Sequence, residues 1–421
     1  METYAIALKY GMLFFIILLS SEWIISLILK KNYYNTFDAI AGISSGMTNN
    51  LKTIFKLSII IVSYQWMYDH WALFNIESSY LLYIIAFIGI DFAFYWSHRW
   101  NHEINVMWNR HIIHHSSEEF NLSCALRQTI SGITQVYFFL YMPLAIIGIP
   151  PVIMSIVLPI HLFAQFWYHT RLIDKMGFLE KIIVTPSHHR VHHAINPEYI
   201  DKNYASIFIL WDKWFGTFQE ELEEVKPVYG VKKPVKTWNP LLINFMHVFQ
   251  LIKDAYRTAD IKAKFTIWFK QTGWRPTDVA EKYPIEIIED PKTQVKYTTP
   301  STPFLNHWSV FQLIFHVGIQ FHLIYLIPKT DLSILLIYAT FCFMSIFSYT
   351  ALMDRHWIAI PFELIKCSMG LFLILNYKDL LYISESLQLE TLTIYGYLLI
   401  SLLITFFYTI YKKEKLILSY F

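Results

Sequence analysis

The residues of this 421-residue chain best suited to chemistry are its histidines, seventeen in all, and they are unevenly placed. Residues 98–115 hold five and residues 188–193 hold four. The first box is His98-Arg-Trp-Asn-His102. On a helix, positions i and i+4 share a face, so both imidazoles can address one metal ion. The second is His111-Ile-Ile-His114-His115, where the adjacent histidine is turned by about 100 degrees toward a second metal. The third, Ser187-His188-His189-Arg190-Val191-His192-His193, repeats that spacing at His189, His192 and His193. A catalytic zinc ion takes three protein ligands and keeps one open position. Eight or more histidines exceed that need and suit two six-coordinate ions. Imidazole serves zinc, copper, iron and nickel alike, so ligand type does not choose among them.

The elements that must carry these boxes read as membrane helices. Hydrophobic residues make up 55% of the chain and charged ones only 16%, against about 45–50% and about 25% in ordinary soluble domains. The net charge of +2 gives no basis for nucleic-acid binding. Cys124, Cys342 and Cys367 are far apart, which argues against a disulfide framework, a thiolate zinc site or a cysteine-ligated cluster. A span needs about 20 mostly apolar residues. The expected spans are 6–29 (too long for a cleavable signal), 53–69 and 78–96, then 309–327, 333–352, 358–376 and 393–410. Stretches 130–149 and 152–168, parted by Pro150-Pro151, form either a hairpin that dips in and returns or two tight spans. Most of the polar sequence lies in 170–304, with a helix-like stretch near 240–270. Lysines at span ends fix orientation. Lys30-Lys31 and Lys412, Lys413 and Lys415 both put the region from His98 onward in the cytosol. The fold class expected is an all-α integral membrane protein, a multi-span bundle with a cytosolic histidine-rich di-metal lobe.

That setting bears on the metal. A site at the mouth of a helix bundle in lipid meets hydrocarbon chains, and attack on an unactivated C–H bond calls for a redox metal and O2. Iron is favoured, with copper left open. Asp91, two turns before His98 on the same face, is a carboxylate within a span and costly unless paired. It is expected to orient a ligand histidine by accepting its second ring N–H. Isolated histidines are ordinarily core or surface residues, the reading given to His70, His161, His247, His307, His316, His322 and His356.

Taken together, the boxes resemble the fatty acid hydroxylase/sterol desaturase superfamily, whose signature is H-x3-H, H-x2-H-H and a later H-x2-H-H. Trp211-Asp-Lys-Trp-Phe-Gly-Thr-Phe218 resembles a segment that follows its last box. Within the superfamily, His111–Gln128, Gln165–Thr170 and Thr185–Ala205 resemble a subgroup that cleaves ether lipids. The strong resemblance covers roughly residues 85–220. It implies a di-iron centre held by His98, His102, His111, His114, His115, His189, His192 and His193, with His169 as a further ligand from the end of the preceding hairpin. It also implies that Glu103 is a catalytic or supporting carboxylate, and that His188 neighbours the site without being a ligand. The implied organisation is 1–84 as N-terminal membrane helices, 85–220 as the catalytic domain, 221–304 as a cytosolic segment and 305–421 as a four-span membrane region.

The reaction this implies is O2-dependent hydroxylation of the ether-bearing carbon of an alkylglycerol, with tetrahydrobiopterin as reductant. The product would collapse to a fatty aldehyde and a free glycerol hydroxyl. One alternative is a sterol or fatty-acyl hydroxylase or desaturase fed by a separate redox partner. Another, from a different class, is a histidine-rich metal transporter. A transport path places ionisable groups at several depths, whereas here the histidines gather at one end and the last four spans offer mainly His316, His322, Glu363 and Lys366. The host membrane would be endoplasmic reticulum in a eukaryote and the inner membrane in a bacterium.

Overall fold

A computed structural model describes residues 2–377 and 388–411. Among them the chain is helix and loop, with isolated bridges and no strand. Six helices are long and apolar enough to cross a membrane: Lys9–Ile28, Tyr80–Glu103, Pro303–Leu326, Leu332–Met353, Ala359–Asn376 and Leu392–Ile410. Their outward faces carry residues such as Ile84, Ile88, Leu371 and Leu375, exposed in the isolated chain. That is the pattern of a helix whose outer surface meets lipid instead of water. The protein is an integral, multi-pass membrane protein.

We number the helices in chain order. After α1 (Glu2–Ile28), the structure departs from the expected span 53–69. Residues 55–63 are irregular, with Ile59 exchanging backbone hydrogen bonds with the 133–135 segment, and α3 (Tyr64–Trp71) has only eight residues. The apolar run 57–62 is too short to build a spanning helix, and Ser63 caps a new helix directly after it. The buried element is instead α2 (Thr36–Ile54), whose small and polar residues hide it from a hydropathy reading. It packs against α15 (Pro303–Leu326) and α16 (Leu332–Met353). Gly42 makes close approach possible, since a side chain there would strike the Ser123 carbonyl.

Helix α4 (Tyr80–Glu103) carries the first histidine box at its end. It packs on α9 (Pro151–Phe163) through Leu82, Ala86, Ile90, Ile153 and Val157. Of the two hairpin forms, the short one is present. Phe138–Ile147 and Pro151–Phe163 have 10–17 residues each, and at 1.5 Å per residue neither reaches across about 30 Å of hydrocarbon. Gly148 turns the chain between them with φ +97°, and a side chain there would collide with the Phe74 carbonyl.

Short helices α6 (Ile112–His115) and α10 (Pro186–His192) present the remaining boxes, and α5 (Asn105–Trp108) joins the first box to the second. The polar stretch contains α12 (Pro240–Arg257) and α13 (Ile261–Thr266), as expected near 240–270. Helices α15 and α16, α17 (Ala359–Asn376) and α18 (Gln388–Phe406) form the C-terminal bundle. Lys412, Lys413 and Lys415 lie outside the described residues. The Lys30-Lys31 end of α1 lies beside the histidine lobe, because the Tyr33 carbonyl accepts hydrogen bonds from Asn121 and Arg171.

Candidate metal centre

Nine histidines converge in two groups that could each hold an ion. One comprises His98, His102, His111, His115 and His192; the other His114, His169, His189 and His193. Within each group the candidate ligand atoms lie within 4.8 Å of one another. The adjacent pairs His114-His115 and His192-His193 split between the groups, as a turn of about 100 degrees per residue requires. His169, distant in sequence from every box, is brought in by the turn that follows α9.

The far side of several rings is tied to backbone. His98 Nδ1 donates to the Tyr204 carbonyl at 2.7 Å and His192 Nδ1 to the Lys202 carbonyl at 2.9 Å. His169 Nδ1 donates to the Phe166 carbonyl at 3.3 Å. A carbonyl only accepts, so each of these rings keeps its proton on Nδ1 and points a bare Nε2 lone pair inward. Burial holds His111, His114, His115, His189, His192 and His193 well below the ordinary imidazole range, and His169 down to about 3. The rings are therefore neutral at physiological pH, the form that binds metal.

The inward nitrogens meet one another or nothing: His98 Nε2 stands 2.8 Å from His111 Nε2. His102 Nε2, His115 Nε2 and His192 Nε2 are buried with no hydrogen bond. In the other group the Nε2 atoms of His189 and His169 stand 2.8 Å apart, His193 and His189 3.0 Å, His193 and His114 3.1 Å, and His169 and His114 3.3 Å. Since His169 spends its proton on Phe166, that ring of contacts does not close by hydrogen bonding alone. Buried polar atoms without partners cost about 1–3 kcal/mol each. A cation within each group removes that cost, so the donor set fits two metal ions.

A four-residue strap holds the five-histidine group from outside. Its residues are Asp201, Lys202, Asn203 and Tyr204. Besides the two carbonyl contacts, the Asp201 carboxylate lies 4.0 Å from His102 Nδ1. Asp201 and Asn203 both adopt left-handed backbone, φ 57° and 56°. That conformation is unfavourable outside glycine and survives where surroundings over-determine it. Here Asn203 Nδ2 donates to the carbonyls of His188 and Gln219. The buried Asp212 carboxylate accepts from the Tyr204 and Ala205 amides, both at 2.8 Å, and from the Thr217 hydroxyl. Asp212 and Thr217 belong to the Trp211–Phe218 segment whose likeness was evident in the sequence, although its task was not.

Three further residues named from the sequence lie outside both groups, and the role expected of Asp91 is corrected. Asp91 orients no ligand of either group: its carboxylate accepts from His161 Nε2 at 2.7 Å, Trp211 Nε1 at 2.8 Å and the Ile207 and Phe208 amides at 3.0 Å. It fixes the 207–211 turn to α4, and its intramembrane cost is met by His161, a residue read as isolated. Glu103 pairs with Arg99 at 2.8 Å, its side chain 36% exposed, and belongs to neither group. His188 caps its own helix with Thr185 and packs on Phe218, and it contacts no ligand ring. Glu22 passed unnoticed in the apolar first span. It is buried and accepts hydrogen bonds from the Thr170 and Tyr34 hydroxyls and, at 2.7 Å, from the Leu122 amide. It thereby ties α1 to the segment carrying His169.

Comparison with known proteins bears on this arrangement. The fatty acid hydroxylase family model matches residues 83–217, the stretch containing every histidine of both groups. Alkylglycerol monooxygenase of Homo sapiens is 39% identical over 86% of this chain and 80% of its own. This chain belongs to the fatty acid hydroxylase family. The Xenopus tropicalis and Danio rerio alkylglycerol monooxygenases are each 33% identical, covering 80% and 75% of their own lengths. No solved structure matches. A family member with these relatives and two buried histidine groups is an O2-dependent, lipid-hydroxylating monooxygenase, and the metal its family indicates is iron, which an all-imidazole donor set can hold.

Proposed function

We propose that the nine grouped histidines ligate two iron ions and that the enzyme cleaves the ether bond of alkylglycerols, with O2 as oxidant and tetrahydrobiopterin as reductant. The observation that carries this reading is the pair of imidazole groups whose inward nitrogens face one another, three of them buried with no hydrogen bond in the chain. The substrate follows four relatives, alkylglycerol monooxygenases at 30–39% identity over most of this chain, and the reductant is the one implied by the subgroup that the histidine boxes resemble. A more distant ornithine lipid hydroxylase of Rhizobium tropici is 25% identical over only 32% of the chain.

When bound, the iron pair supplies the oxidising power that inserts one atom of O2 into a C–H bond. The other atom leaves as water, and the two further electrons come from the pterin. What the chain supplies is position and dryness. Carbonyls of Phe166, Lys202 and Tyr204 fix the tautomer of three rings. Phe120, Tyr168 and Tyr229 pack around His169, His189 and His193, which keeps water from the four-histidine group. Hydroxylation of the carbon beside the ether oxygen gives a hemiacetal, and its collapse to aldehyde and alcohol needs no further oxidant. The site is placed on the cytosolic face, a reading supported by Lys30 and Lys31 at the end of α1, next to residues that contact this lobe.

The test is metal analysis of the purified chain after reconstitution with ferrous iron, followed by O2 consumption with alkylglycerol and reduced pterin. Two irons per chain with pterin-dependent aldehyde release is the expected result. Two irons with turnover only after addition of a separate electron-transfer protein would retain the oxygenase and discard the pterin. A chain that takes up no iron would overturn the proposal.

A further inference from the structure

Helix α12 has two apolar faces. One is buried, with Ile243 against Ile112 and Ile113 of the lobe and Leu241 in the core shared with α2, α15 and α16. The other presents Leu242, Phe249, Ile252 and Tyr256, spaced seven, three and four residues apart on a single stripe, and Tyr256 is 85% exposed. The stripe continues into the next turns at Ile261, Phe265 and Phe269, four residues apart, exposed by 71%, 73% and 75%. Aromatic and branched side chains gathered at such exposure need an occupant.

The ends of this segment indicate which one. Its start is tied to the end of the α16 span, where Asn239 Nδ2 donates to the Phe347 carbonyl and the Trp238 amide donates to Asp354. Its finish is tied to the end of the α4 span. The Asn105 amide donates to the Lys270 carbonyl at 2.9 Å, and the Thr272 amide to the Glu103 carbonyl at 3.2 Å. Residues 240–270 therefore bridge two span ends, the level at which hydrocarbon gives way to headgroups. Their charge fits the same layer. Lys253, Arg257, Lys262, Lys264 and Lys270 stand against Asp254 and Asp260 alone, and Asp254 is buried and paired with Arg275.

The geometry points to residues 240–270 lying in the membrane interface, with the Leu242–Tyr256 stripe and Phe265 among the acyl chains and the lysines among anionic headgroups. An amphipathic helix of this kind sinks its apolar face about 5–10 Å into the headgroup–acyl boundary. The same segment closes over the centre, since Asn109 Nδ2 donates to the Asn244 carbonyl two residues before His111. Lipid reaching the histidine lobe from this side therefore passes beneath a surface that is itself seated in the bilayer.

The test places nitroxide labels on the full chain in vesicles of phosphatidylcholine containing phosphatidylglycerol. The chain's own cysteines, Cys124, Cys342 and Cys367, are buried. Labels go at Ile252→Cys, Tyr256→Cys and Phe265→Cys, with Glu289→Cys as the aqueous reference. Relaxation by O2 is compared with relaxation by a water-soluble nickel chelate. The expected result is an O2-to-nickel ratio an order of magnitude above that at Glu289→Cys, with depths of about 5–10 Å. The ratio should drop when phosphatidylglycerol is omitted. Nickel access equal to that at Glu289→Cys would overturn the proposal. So would labels shielded from both relaxants and dipolar-coupled to a second copy, which would make the stripe a protein interface. Depths indifferent to phosphatidylglycerol would overturn the anionic part.

Discussion

The histidine lobe and the C-terminal bundle both bury ionisable groups in apolar surroundings, yet they resolve the cost in opposite ways. In the bundle, Glu363 and Lys366 pair at 2.5 Å, and Ser348 donates to the second carboxylate oxygen at 2.5 Å. Lys366 also reaches Ser401, Gln312 donates to Ser401, and Tyr397 donates to Gln312. Donor meets acceptor around the whole circuit, joining α15, α16, α17 and α18. The lobe is built from one kind of group, neutral imidazole, with nitrogens facing nitrogens. A network that satisfies itself specifies packing, whereas one left open specifies a missing partner. His316 Nε2 is buried without a partner in the bundle. No bundle residue, however, joins a metal-capable group among the described residues.

The sharpest way to break this contrast is to remove one ligand. His114→Ala or His192→Ala should abolish turnover and lower bound iron while the protein still inserts in the membrane. Iron counted per inserted chain, alongside aldehyde release, checks this. Retained turnover in either variant would detach the chemistry from the groups. The strap comes next. Asp212→Ala leaves two buried amides unsatisfied, each costing about 1–3 kcal/mol. Loss of an outer support of this kind ordinarily costs about 10–100-fold in metal affinity. Titration of the apo-protein with ferrous iron should show a weaker affinity at an unchanged final stoichiometry. The bundle should respond differently. Lys366→Met strands a buried carboxylate and should cost about 3–5 kcal/mol of stability, read as a lowered Tm in detergent, with iron stoichiometry intact. The double variant Lys366→Met/Glu363→Leu should recover much of that loss. A drop in iron content in the single variant would mean the two regions are coupled.

The same contrast explains what could be read from the sequence. Box spacing identified eight of the nine grouped histidines in advance because helical periodicity converts i, i+3 and i+4 into a shared face, whereas His169 was legible only through the family resemblance. Most spans of uniform apolarity were equally legible, but none forms at 53–69, α4 runs on past its apolar stretch to Glu103, and α15 begins earlier than its apolar run. The failures share a cause, since they depend on contacts distant in sequence. Helix α2 is buried by small residues that hydropathy scores as neutral. Asp91 lies at the right helical offset from His98, but the 207–211 turn and His161 reach it first. The strap at 201–204 works through carbonyls, which every residue possesses, so no side-chain pattern announces it. Asp212 was within sight in the Trp211–Phe218 segment, and an acidic residue among aromatics was the available signal.

The smallest effect expected is also the one that tests whether an isolated histidine can matter without chemistry. His247 lies outside both groups and donates from Nε2 to the Asn105 carbonyl at 2.8 Å, fastening α12 to the loop between the first two boxes. Burial pushes its pKa down to about 4, from 6.5 in the unfolded chain. A depressed histidine favours the neutral form, so its contribution is fully present above about pH 6.5. It is lost as pH falls toward 4, where the unfolded state takes up a proton that the folded state refuses. At about 1.4 kcal/mol per unit the loss is at most about 3.5 kcal/mol. Local hydrogen exchange across residues 240–257 should therefore rise between pH 6.5 and 4.5 in the wild type. In His247→Gln, which has a side-chain donor and no titration, this part of the pH dependence should vanish while iron content and turnover at pH 7.5 stay near wild type. An identical pH profile in the variant would move the effect to other groups and leave His247 a packing residue.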